Sequence, residues 1–164
     1  MKKTLGKMVA LMVLVFIGTF VLSEYAAAAK EVSRDGRIIA DDNGTVLDTW
    51  TNLMWAAKGN GSDINWQSAK SYCENYRGGG YSDWRLPTQG ELAVLYDADY
   101  GSVIMITGVG VWASETRGSD AALFNFRSHY HYWNPQSYDY NTRTLPVRSS
   151  KECLGALIIL RADI

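Results

Sequence analysis

Residues 78–95 read Gly-Gly-Gly-Tyr-Ser-Asp-Trp-Arg-Leu-Pro-Thr-Gln-Gly-Glu-Leu-Ala-Val-Leu, and they decide the fold because they stop one helix, pass a strand and start another. Gly78, Gly79 and Gly80 supply the positive φ that ends a preceding helix. Trp84 and Leu86 form a short buried extended segment, and Pro87 disfavours helix at the residue before it. Thr88 and Glu91 then make a capping box. The hydroxyl accepts the N–H three residues on, the carboxylate returns to the cap's own N–H, and Leu92 and Leu95 begin an apolar stripe. Trp84, Arg85, Pro87, Thr88 and Glu91 therefore have structural work.

Upstream, Asn65 caps a first helix on which Trp66, Ala69, Cys73 and Tyr76 recur at spacings of three and four, so one face is core. Before it, Leu53, Met54 and Trp55 form a buried strand, delivered by the polar turn Asp48-Thr49-Trp50-Thr51-Asn52, in which Asn52 tolerates the left-handed conformation. Asn43-Gly44 is a strong hairpin signal between strands at residues 37–40 and 45–47. The adjacent Asp41 and Asp42 lack the spaced ligands and closing Glu of a calcium loop. Residues 30–34 read as a frayed polar lead-in.

Downstream, residues 98–110 read as loop. Alternation predicts a second hairpin at 111–116 and 121–126 around Arg117-Gly118-Ser119-Asp120. Residues 128–142, Ser-His-Tyr-His-Tyr-Trp-Asn-Pro-Gln-Ser-Tyr-Asp-Tyr-Asn-Thr, read as a long aromatic and polar loop before a final strand at 143–148. An apolar tail, residues 154–160, is too short to span a membrane and would add an edge strand.

The first 29 of the 164 residues carry the pattern of an export signal: Lys2, Lys3 and Lys7, an apolar run over 8–22, then Ala26 to Ala29. The alternative, a transmembrane anchor, needs a run of roughly 20 apolar residues. Residues 30–150 would form one domain and 151–164 a tail. Beyond residue 29 the chain holds 13 basic and 16 acidic groups, a balance that gives no general attraction to nucleic acid. No stable membrane span is expected once the signal is removed, which leaves the periplasm, the cell surface or the medium. Export makes a disulfide between Cys73 and Cys153 the default, which a closed loop of that length would stabilise by roughly 4–5 kcal/mol. The alternative is that Cys153, beyond the last strand, does not reach Cys73.

These parts, in this order, resemble the Lcl C-terminal domain family, the C-type-lectin-like domain of bacterial collagen-like adhesins, long catalogued as a domain of unknown function. The resemblance lies in Asp48 to Trp55, Trp66 to Cys73, the Gly-Tyr-Ser-Asp-Trp-Arg-Leu-Pro-Thr run with Glu91 and Leu92, Val111 to Thr116, and Pro146-Val147-Arg148. It covers about Asp42 to Arg148. It implies an α+β, C-type-lectin-like fold: two helices packed on small antiparallel sheets, with long loops carrying the ligand site. Asn52 stands where the family commonly has Gly. Pro146 stands where it often has Cys, so the bridge from the first helix would move to Cys153.

An enzyme is not expected, because no nucleophile with a base, carboxylate pair or metal set is formed. His129 and His131 are two ligands at most, and Asp83 reads as a structural acceptor. No cofactor or metal is implied. The calcium-dependent sugar motifs of animal lectins, Glu-Pro-Asn or Gln-Pro-Asn with Trp-Asn-Asp, are absent; Asn134-Pro135-Gln136 has related letters in another order. The candidate ligand-binding residues are Arg127, His129, Tyr130, His131, Tyr132, Trp133, Asn134, Tyr138, Tyr140 and Arg143. Tyr and Trp offer rigid contact area with a polar handle, and the arginines could hold sulfate or carboxylate. The partner expected from the resemblance and this composition is an anionic polysaccharide such as a glycosaminoglycan, and the module an adhesin. The alternatives are a surface-protein partner, as in display domains diversified by retroelements, or an envelope structural subunit.

Overall fold

The computed structural model of the chain describes residues 29–98 and 103–150. All but the last residue of the expected signal segment 1–29, and the whole expected tail 151–164 with Cys153, lie outside the described residues. Among the described residues, two helices and two sheets make an α+β fold.

The first sheet begins with β1 (Glu31–Asp35), β2 (Ile38–Asp41), β3 (Thr45–Asp48) and β4 (Leu53–Ala56), which pair antiparallel in chain order. Asn43 Oδ1 accepts the Thr45 N–H at 3.0 Å and Gly44 sits at φ +80°, so the predicted hairpin turn is made. Asn52 takes φ +53° at the next turn, as expected of it. The lead-in is not frayed: β1 pairs with β2 from Asp35↔Ile38 back to Glu31↔Asp41 through a bulge, every side chain remaining exposed. Backbone pairing rather than burial holds this strand, which is why the composition gave no sign of it.

α1 (Trp66–Asn75) starts where Asn65 accepts the Ser68 N–H and buries Ala69 and Cys73 on the predicted face. It ends at an extended Tyr76, before the glycines; Gly79 and Gly80, at φ +64° and +81°, instead shape a single 3₁₀ turn over Gly78–Gly80. The extended segment then pairs with the far end of the chain: Arg85 and Val147 exchange both backbone bonds, at 2.9 and 3.0 Å. α2 (Gln89–Tyr96) opens on the complete Thr88–Glu91 capping box and buries Leu92 and Leu95.

The second sheet holds β5 (Gly110–Arg117), β6 (Asp120–Asn125), β7 (Tyr130–Pro135) and β8 (Thr142–Arg143), in the spatial order β7-β6-β5-β8. β8 lies parallel to β5, and β9 (Val147–Ser149) leaves this sheet to pair with β4 in the first. Two expectations are corrected here. Residues 130–135 are an edge strand, not loop, because each pairs with β6 from Asn125↔Tyr130 to Asp120↔Pro135. Residues 143–148 are not one strand. Thr144, Leu145 and Pro146 carry the chain between the sheets, fully or almost fully buried.

The main core lies where the first sheet, α2 and one face of the second sheet meet: Ile38, Val46 and Trp55 against Leu92, Leu95, Val111 and Phe124. Each such fully buried apolar side chain contributes about 1.5–3 kcal/mol. α1 covers part of the opposite face, with Ala69, Cys73 and Leu86 on Trp112, Ala121 and Leu123. A sheet covered on both faces over β5 is thus covered on only one over much of β7.

Candidate functional site

Alternation along β7 divides the predicted site residues between two faces. Tyr132 opposes Leu123 and Asn134 opposes Ala121, on the face that carries α1; His131 opposes Phe124 and Trp133 opposes Ala122, on the face of the main core. The second group is occupied with packing. The His131 ring meets Phe124 edge-on at 5.1 Å, and Trp133 packs on the core with the Arg117 guanidinium 4.5 Å from its ring centroid. His129, at φ +61° ahead of the strand, stacks on Tyr96 at 4.2 Å, with Nε2 3.6 Å from Asp97.

The first group lines an open cleft. After Pro135 the chain must travel from edge strand β7 to β8 at the opposite edge of the sheet. It is held at its start by Gln136, whose N–H donates to Ser119 and whose carbonyl accepts from Trp66, at 2.9 and 3.1 Å. The Gly110 N–H holds its end through the Asn141 carbonyl at 3.3 Å, and Asn141 turns the chain at φ +59°. Between these anchors Tyr138 and Tyr140 stand over the uncovered half of the sheet. With Val109, Gly110, Leu123, Asn125, Tyr132, Asn134, Asn141 and Thr142 they enclose a cleft of ≈ 260 Å³.

Its floor is firm. Thr142 Oγ1 donates to the Ile64 carbonyl at 2.7 Å, Trp112 Nε1 donates to the same carbonyl at 2.8 Å, and Thr144 exchanges bonds with Asn60. Asn125 Oδ1 accepts the N–H groups of Arg127 and Ser128, and Ser128 Oγ lies 3.4 Å from the Tyr132 hydroxyl, so the β6–β7 turn is fixed to the rim. By contrast, the side-chain amides of Asn134 and Asn141 and the hydroxyls of Tyr138 and Tyr140 bond to no described residue. Exposed Tyr130 and Tyr140, at 66% and 70%, offer further ring area.

The arginines stand apart from the cleft. Arg143 is paired with Asp63, whose carboxyl it holds below the ordinary carboxylate range, and its Nε reaches Thr107. It is therefore not available as the anion-holding group expected of it. Arg127 is exposed, makes no ion pair among the described residues, and lines an adjoining shallow groove of ≈ 420 Å³ with Thr107, Gly108, Val109 and Phe126. Asn125 and Asn141, absent from the sequence prediction, join the site because β6 and the turn into β8 bring them to it.

A further groove of ≈ 320 Å³ lies beside α1, among Trp66, Leu86, Ser114 and Thr116. Its Lys70 is paired with Glu74 and its Arg85 with Glu91. Among the described residues Cys73 is bonded to no other cysteine; its thiol is buried, with Sγ 3.1 Å from Thr144 Oγ1, and burial pushes its pKa up to about 12. Asp83 is the structural acceptor expected, taking the Arg148 Nε–H at 2.7 Å. Among the described residues no three of His, Cys, Asp and Glu gather as a metal site requires, and no helix is long and apolar enough to cross a membrane.

No curated protein matches the chain. A family model does, that of the Lcl C-terminal domain, over residues 44–148. That span takes in β3 through the start of β9, with the capping box, both helices and every residue of the tyrosine cleft, and the chain belongs to the Lcl C-terminal domain family.

Proposed function

We propose that this is an exported, non-enzymatic binding module of C-type-lectin-like fold, an adhesin-type domain that takes polysaccharide in the tyrosine cleft. The observation that carries the reading is the pairing of phenol rings with free amides in one concave, rigid-floored site. Tyr132, Tyr138 and Tyr140 give apolar faces for the C–H side of a sugar ring, and Asn134 and Asn141 give a donor and an acceptor each for its hydroxyls. The volume lies just below the roughly 300–1,000 Å³ usual for small-molecule pockets, which suits one ring of an extended chain.

The non-enzymatic reading is supported by what lines the cleft: amides, phenols and aliphatic groups, without the carboxylate pair, imidazole or thiol that hydrolysis would use. Family membership supports an adhesin at the surface or in the medium. Arg127, in the adjoining groove, would meet an anionic substituent on a neighbouring sugar.

Biolayer interferometry of the 30–150 segment, expressed within the full chain and matured by export, tests this against immobilised plant, bacterial and animal polysaccharides. Binding of at least one, weakened about tenfold or more by Tyr132→Ala with Asn134→Ala, is expected if these rings and amides carry the contact energy. Absence of binding to every polysaccharide sinks the proposal.

A further inference from the structure

We infer that the unit seated in the tyrosine cleft is an uncharged sugar, a neutral pyranose or N-acetylated amino sugar, and not the acidic unit of an anionic chain. The inference rests on the polysaccharide reading above and narrows the chemistry of that same site.

Three observations carry it. No charged side chain lines the cleft. The segment that roofs it, residues 136–141, is Gln-Ser-Tyr-Asp-Tyr-Asn, whose one formal charge is the negative Asp139 between the two roofing tyrosines. Of the cations around the site, Arg143 is committed to Asp63 and Arg117 to the Trp133 ring on the opposite face of the sheet, while Arg127 stands in the adjoining groove and not in the cleft. A sulfate or carboxylate entering here would lose water against neutral groups, with no cation lining the cleft to offset the cost.

The groups that do stand free are matched to hydroxyls. Each amide of Asn134 and Asn141 presents one donor and one acceptor in a plane, the pattern that two vicinal hydroxyls or an acetamido group complete. A phenol hydroxyl serves as either. Satisfying such groups on both partners makes a site discriminating, because an analogue lacking the hydroxyl leaves a polar group unpaired.

The test is isothermal titration of the exported protein with cello-, manno-, xylo- and chito-hexaose and with two acidic probes, a heparin hexasaccharide and a hexameric alginate, at 50 and 500 mM NaCl. At least one neutral hexaose is expected to bind, with Kd changing less than about twofold across that salt range, since no ion pair is there to screen. Tyr140→Ala, a substitution of an exposed ring that leaves the core intact, is expected to weaken it about tenfold. Binding confined to the acidic probes, weakened steeply by salt and lost in Arg127→Ala, overturns this inference and leaves the polysaccharide reading standing. Neutral binding indifferent to Tyr140→Ala and to Asn134→Ala also overturns it, by placing the sugar elsewhere. Failure of every probe, together with failure of the polysaccharide panel, removes the function on which it rests.

Discussion

Arg85 donates to both carboxylate oxygens of Glu91, at 2.8 and 2.6 Å, while one of those oxygens also accepts the Thr88 N–H at 2.8 Å. One carboxylate thus closes the α2 capping box and ties the extended segment before it to the helix. Because Arg85 also exchanges both backbone bonds with Val147, the link runs on to β9 and the first sheet.

Glu91→Ala should destabilise the domain by about 1–2 kcal/mol, since a helix cap is worth about 1 and a half-exposed ion pair adds little. Burial alone would raise the Glu91 pKa, but the bonds from Arg85 and Thr88 together outweigh it and hold the carboxyl below its usual range. A depressed folded pKa contributes stability that is present above the unfolded value and lost as pH falls through the folded one. Urea midpoints should therefore fall less between pH 6 and pH 3 in Glu91→Gln than in the parent, and equal slopes would refute the assignment.

Arg148 is buried, with its guanidinium bonded to Asp83 and 3.8 Å from the Tyr81 ring centroid. Removing it leaves a hole and deprives Asp83 of its charge partner. Arg148→Ala is expected to cost about 3–5 kcal/mol and Arg148→Met distinctly less, because Met refills the volume beside Met54. Denaturant midpoints for the two variants decide it.

Asn52 adopts φ +53° and its carbonyl accepts the Ser150 N–H at 2.8 Å. Asn52→Val should lower stability by about 1–2 kcal/mol through left-handed strain, whereas Asn52→Gly should be near neutral. Thermal melts that rank Val at or above Gly would show that the turn does not need this conformation.

The Cys73 thiol, buried among Ala69, Leu86 and Trp112, should resist alkylation in the native state. In a Cys153→Ser variant, iodoacetamide at pH 8 should label it only on unfolding, read by mass spectrometry. Its pKa of about 12 against an ordinary 9.0 also has a stability sign. The unfolded chain releases the proton first, so stability falls as pH rises from about 9 toward 12. Cys73→Ala should flatten that limb.

The division of the late aromatics predicts opposite behaviour for neighbours. Trp133→Ala, which empties packing against the core under Arg117, should cost about 2–3 kcal/mol. Tyr140→Ala, at a ring 70% exposed, should stay within about 0.5 kcal/mol. Comparable losses in the two would mean that the roofing segment is structural.

What the chain determines on its own is local. The Asn65 cap, the Asn43-Gly44 turn, the left-handed Asn52 and the Thr88–Glu91 box all involve partners within four residues, where side-chain chemistry and backbone preference suffice. The buried faces of both helices followed from periodicity, and the order of these parts carried the family. The edge strand β7 escaped this reading because its side chains are mostly exposed and its pairing is backbone to β6. Tertiary structure alone decided which side of the sheet each late aromatic faces, since a period of two assigns opposite faces to Tyr132 and Trp133 only once the strand is known to exist. It alone revealed that Arg143 is held by Asp63, 80 residues away, while Asn125 and Asn141 complete the cleft. Contacts at that separation depend on how the two sheets are threaded, and no local pattern encodes them.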